Sequence, residues 1–298
     1  MFAKTNMEFD YIDIHSHLYF PDFDADREEE IAKLKQNKIA TITVGTDLQS
    51  SKKAIELSQK HDNLFATVGQ HPGDVTNDTV FDERLETLFP SIPPERNEGS
   101  KEKAKATIVA IGECGLDYYR IPPQRSGGNG EKALATIAIQ KKIFQRHIDL
   151  AIEKDLPLML HVRPQKGTQD AYEDALEILE SQAKTFGSKL HGNVHFFVGD
   201  LDILKRFLDI GFTVSFTGVV TFARDYDALV RYVPLDMVMS ETDAPFVAPM
   251  PYRGKRNSPL YVPEVVKKIA EIRKENFEVV KIALRDNALR YFPSIAPR

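Results

Sequence analysis

Residues 11–17 read Tyr-Ile-Asp-Ile-His-Ser-His (YIDIHSH). The segment predicts a buried strand, and successive side chains on a strand point to opposite faces. His15 and His17, two apart at its end, therefore aim the same way and can share one ion. Asp13 has the same parity and lies one layer deeper. Other short apolar runs also close on a residue able to bind metal: Glu113 in IVAIGE, His161 in LPLMLH, His195 in GNVH and Asp243 in MVMSETD. A barrel of parallel strands gathers all its strand ends on one face, so ligands scattered along the chain become neighbours in space.

Eight strands are expected, near residues 10–15, 40–45, 64–69, 107–113, 157–162, 192–197, 212–217 and 236–241. Most are nearly continuous in Ile, Val, Leu and Phe, as strands covered on both faces should be. Amphipathic stretches separate them at 26–37, 50–61, 133–154, 169–185, 200–209 and 222–232, and a terminal helix is expected from Phe277 to Phe292. In 133–154, Ile137, Phe144, Ile148 and Ile152 recur on one side. Eight strand–helix alternations imply an α/β protein, a single (β/α)8 TIM barrel over residues 1–298. Two polar, Pro- or Gly-rich stretches, 91–106 and 121–132, read as insertions. The second follows the fourth strand on the site's side, as a lid or a tolerated loop.

Bulk composition narrows the function. Charged residues make up 28% and hydrophobic residues 42%, with a net charge of −5. No run approaches the roughly 18 apolar residues of a membrane span, and the few residues ahead of the first strand do not read as a secretory signal. The single cysteine, Cys114, cannot form an internal disulfide and points to a reducing compartment, the cytosol. Lacking a basic excess, the chain is expected to grip at most a short stretch of nucleic acid.

A buried strand ending in a carboxylate costs several kcal/mol unless the charge is paired or metal-bound, so Glu113 is read as a ligand whose two oxygens can bridge two cations. Glu241 shares the parity of Asp243 but sits lower, and is expected to support a ligand rather than to be one. His191 lies at the wrong end of its strand. His61 and His147 fall on helices and read as surface or packing residues.

Taken together, IDIHSHL, VGQHP, IGECGLDYYR, MLHVR, NVHFFVGD, ETDAPF, RGKRNSP and NALRYF resemble the TatD-type metal-dependent deoxyribonucleases from Ile12 to Phe292. The resemblance implies a TIM-barrel hydrolase that cleaves DNA phosphodiesters with two divalent ions, Zn²⁺, Mn²⁺ or Mg²⁺. It implies one ion at His15, His17 and Asp243, a second at His161 and His195, and Glu113 between them. The chain departs from the family's common His-Cys-Phe-Ser-Gly at Phe196 and Val198, which stand in place of Cys and Ser.

Asp243 is the expected general base. Arg163, Arg120, Arg253 and Arg256 are expected to offset phosphate charge and His71 to donate a hydrogen bond to it, while Tyr118 or Tyr119 could stack on a base. The expected partner is DNA, attacked from single-stranded ends. Two other readings stand beside this one. An amidohydrolase-type binuclear enzyme could hydrolyse a small ester, lactone or cyclic amide. A non-catalytic nucleic-acid binder fits poorly with the negative charge.

Overall fold

The computed structural model describes residues 9–89, 108–121 and 130–295. Eight strands follow one another in space in chain order, every neighbouring pair parallel. They are β1 (Tyr11–Ser16), β2 (Ile39–Val44), β3 (Leu64–Val68), β4 (Ile108–Asp117), β5 (Leu158–Arg163), β6 (Gly192–Val194), β7 (Thr213–Phe216) and β8 (Val238–Ser240). The seam between first and last is closed just beyond β8. There Asp243 N donates to His15 O at 2.9 Å, and His17 N donates to Ala244 O at 2.7 Å. The sheet is thus rolled into the expected α/β barrel.

Helices α1 (Arg27–Gln36), α2 (Leu48–Lys60), α3 (Gly130–Lys154), α4 (Asp170–Phe186), α5 (Leu201–Asp209), α6 (Asp227–Tyr232), α7 (Val262–Arg273) and α8 (Phe277–Tyr291) complete the alternation. Their apolar stripes bury Phe144 and Ile148 of α3, Leu176 and Leu179 of α4, Phe207 of α5 and Ile269 of α7 in one continuous core with the strands. Ile137 and Ile152 pack at its margin, which confirms the stripe read in α3. Inside the sheet, buried polar side chains bond across strands: Thr41 to Asp13, Asn193 to Thr213 and Ser215 to Asn193. Pairing keeps the desolvation cost of these groups down.

Several boundaries differ from expectation. Helix α7 was not anticipated, although Pro263 in its first turn is a favoured helix start. Helix α3 takes in Gly130–Lys132, the end of the expected 121–132 insertion; 122–129, and the whole of 91–106, lie outside the described residues. Strand β4 runs four residues past Glu113. Its Gly112 and Gly115 have φ of +145° and +135°, and a Cβ on either would collide with the carbonyl oxygens of Met159 and His161. Only glycine lets β4 press this closely on β5, and that approach sets Glu113 beside His161. Among the described residues no helix is long and apolar enough to cross a membrane.

Candidate metal centre

The strand ends converge as the alternation requires. His15 on β1, His17 just after it and Asp243 beyond β8 surround one oxygen of Glu113. His15 Nε2 lies 3.3 Å from His17 Nε2, 3.5 Å from Glu113 Oε2 and 3.8 Å from Asp243 Oδ1. His17 Nε2 lies 3.8 Å and 3.5 Å from the same two oxygens. Glu113 Oε1 faces the opposite way, 2.8 Å from His161 Nδ1 and 3.0 Å from His195 Nε2, and those two nitrogens are 3.4 Å apart. His195 sits one residue past β6 rather than inside the expected longer strand. One buried carboxylate therefore joins two groups of imidazoles.

The donor set fits cations. With ligand bonds of about 2.1 Å, the edge of a tetrahedron is ~3.4 Å, the spacing found around His15 and His17. His17 donates from Nδ1 to Val44 O at 3.0 Å, which leaves the Nε2 lone pair aimed into the cluster. The buried ring nitrogen His15 Nδ1 has no hydrogen-bond partner among the described residues. Burial, aided by the charge of His195, pushes the His15 pKa down and keeps that ring in the neutral, ligating form.

Charge balance points the same way. Burial alone would raise the pKa of Glu113, but His71, His15 and His195 outweigh it and hold the carboxyl well below the usual range. Burial likewise opposes a charged His195, yet Glu113 and Glu241 raise its pKa well above the ordinary value. The cluster thus carries fixed negative charge that attracts positive charge, whether protons or metal ions.

Carboxylates stand behind two of the imidazoles, one hydrogen-bonded to its ring and one not. Glu241 is fully buried; its Oε1 accepts from Phe196 N at 2.5 Å and its Oε2 lies 3.6 Å from His195 Nδ1. Asp117, at the end of β4, pairs through Oδ2 with His161 Nε2 at 3.1 Å. Sequence reasoning missed Asp117 because it ended the strand at Glu113. The signal was available, since Asp117 keeps the parity of Glu113 across GECGLD.

His71 joins the second group, with Nε2 3.4 Å from Glu113 Oε1 and 3.3 Å from His161 Nδ1. Its Nδ1 accepts from Gly73 N at 3.0 Å. With Nδ1 accepting this bond, a ring proton lies on Nε2, so His71 faces the centre as a donor and not as a lone pair.

The expected phosphate-binding cations fare unequally. Arg163 is exposed and lies over the Tyr119 ring at 3.9 Å. Arg253 covers Phe222 at 4.0 Å, and Arg120 is exposed. Arg256 is already engaged, its guanidinium 2.7 and 2.8 Å from the two oxygens of Asp26 and 2.7 Å from Asp22 O. Tyr118 is withdrawn from the role expected of it: it is buried, with its hydroxyl donating to Asp174 at 2.8 Å. Tyr119 remains exposed. Cys114 is buried core filling, as read.

The family described as TatD related DNase matches this sequence over residues 12–293. The chain belongs to that family. It is 33% identical over 283 residues to the metal-dependent hydrolase YabD of Bacillus subtilis, covering 94% of this chain and 98% of that one. It is 31% identical to the metal-dependent hydrolase YcfH of Escherichia coli, with 96% and 97% covered. The crystal structure of YJJV, a TatD homolog from Escherichia coli, superposes with a TM-score of 0.75 at 25% identity, covering 95% of this chain and 98% of that one. A TatD-family hydrolase from Entamoeba histolytica shares the fold at 20% identity, with a TM-score of 0.70 over 96% of this chain and 99% of that one. With this family, this barrel and these clustered ligands, the protein is a metal-dependent hydrolase.

Proposed function

We propose that the protein is a two-metal deoxyribonuclease that removes nucleotides from single-stranded DNA ends, working in the cytosol. The observation that carries the reading is Glu113, whose two oxygens face separate imidazole groups. His15, His17 and Asp243 would hold one ion and His161 and His195 the other, with Glu113 shared. When bound, two divalent ions supply Lewis acidity toward a phosphoryl oxygen and bring the pKa of water toward neutrality.

The protein's own groups do the rest. The Asp243 side chain is 13% exposed, against 0–4% for those of His15, His17 and Glu113, so it is the most open carboxylate of its group. Burial works to raise its pKa, but His17 and the neighbouring His15 and His195 hold it below the ordinary range. Asp243 is therefore ionised near neutral pH and can take a proton from the attacking water at Oδ1. His71 offers its Nε2 proton to a phosphate oxygen, and Arg163, exposed beside the mouth, offsets phosphate charge. Asp117 keeps the His161 ring aimed, and Glu241 lies behind that of His195.

The test is a metal-reconstituted panel of labelled linear single strands, covalently closed single-stranded circles, duplex DNA, RNA, and a lactone and a cyclic amide. Metal-dependent shortening of the linear strand with the circle intact is the expected result. Equal rates on circle and linear strand would remove the end requirement. Turnover of the lactone or cyclic amide alone would replace DNA with a small neutral substrate.

A further inference from the structure

Two phenylalanines at the mouth are left unused by the metal chemistry. Phe20, after β1, lies nearly parallel to His17, with centroids 5.0 Å apart and planes at 26°. Phe246, after β8, meets Phe20 edge-on at 5.8 Å and stands 6.2 Å from the His17 ring. Phe20 is half-buried behind it, whereas Phe246 is 47% exposed.

Phe246 is not a loose loop-tip residue. Its N–H donates to Asp243 O at 2.8 Å, and its carbonyl accepts from Asn257 Nδ2 at 2.5 Å. Asn257 Nδ2 also holds Thr242 O at 2.7 Å. The backbone of Phe246 is thereby fixed to the segment that carries Asp243. An apolar ring anchored at the rim of a polar cluster, with half its surface in water, favours a flat partner laid against it.

The surroundings say what kind of partner. The same β8 loop exposes Arg253 and Lys255, and Arg253 lies over the exposed ring of Phe222. An aromatic face on a held backbone, in a loop that also exposes cations, matches a flat base attached to an anionic backbone. That combination is how single-stranded nucleic acids are held without reading sequence.

We propose that Phe246, backed by Phe20, is the stacking platform for the nucleobase adjoining the phosphodiester that is cut. The inference rests on the DNA reading above and specifies which part of the strand the mouth recognises. It makes cleavage depend on the presence of a base but not on its identity.

The experiment compares an intact single strand with the same strand carrying abasic residues at the three terminal positions of both ends. The holoenzyme is used as wild type, Phe246→Ala and Phe246→Tyr. Wild type is expected to prefer the intact strand by about 10-fold in kcat/KM, expressed mainly in KM. Phe246→Ala should cut the intact strand about as slowly as wild type cuts the abasic one, with no further loss on the abasic strand. Phe246→Tyr should keep the preference. In stopped-flow mixing, a strand with terminal 2-aminopurine should be quenched before cleavage by wild type and not by Phe246→Ala.

Equal losses on both strands in Phe246→Ala, or no preference in wild type, would overturn the platform while leaving the nuclease reading intact. A wild type that cuts no strand would overturn the nuclease reading and the platform with it.

Discussion

His147 on α3 offers a quantitative check on the loop that carries His71. Its Nδ1 donates to Ile143 O at 2.9 Å, and its Nε2 accepts from Gln70 N at 3.0 Å, so both ring nitrogens are satisfied only in the neutral form. Burial, with a smaller contribution from Arg146, pushes its pKa down from 6.5 to about 4. The unfolded chain therefore binds this proton more readily than the folded one between those values. Stability is full above pH 6.5 and falls as the pH drops toward about 4. The whole gap is worth about 3 kcal/mol, of which about 2 kcal/mol has been lost by pH 5.

The perturbation is His147→Gln, whose amide oxygen can still accept from Gln70 but which does not titrate. Urea unfolding at pH 7.5 and pH 5 gives the assay, and only the difference between the proteins matters, so the other histidines cancel. Wild type should lose about 2 kcal/mol more than His147→Gln across that interval. Equal losses in the two proteins would refute the assignment of a neutral, doubly bonded His147.

Four further outcomes are expected. Asp117→Asn should weaken metal binding or activity about 10–100-fold, measured by competition with a metal indicator, because His161 loses its carboxylate partner. Glu113→Gln should abolish metal-dependent hydrolysis and lower the number of ions bound, counted by elemental analysis, since the shared oxygens lose their charge. Arg163→Ala should raise KM for DNA with the melting temperature unchanged. Arg256→Ala should do the reverse, lowering stability by roughly 1 kcal/mol through the lost Asp26 pair while KM stays put.

The convergence of the candidate ligands was legible because it depends on strand parity, a property of the backbone itself. His15 and His17 share a face by spacing alone, and Glu113 and His161 follow from apolar runs that end in a polar residue. Asp117 was missed because the fourth strand was expected to end at 113, whereas the glycines at 112 and 115 let β4 lie hard against β5 and run on to Asp117. Helix α7 fell between two recognised motifs. Arg256 and Tyr118 looked free because their partners, Asp26 and Asp174, are distant in sequence. Pairing of this kind is decided by how the barrel closes, and no local pattern announces it.

The closing seam has a consequence for how the enzyme is made. Thr242 bonds Asp13 across 229 positions, and beside it the backbones of Asp243 and His15 join the two ends of the sheet. At ribosomal speeds of ~5–20 residues per second, roughly 10–50 s separate the emergence of those partners. A nascent chain thus displays two histidines long before their companions exist. Hydrolytic capacity arrives as a late, all-at-once event, coincident with the last stitch of the cylinder.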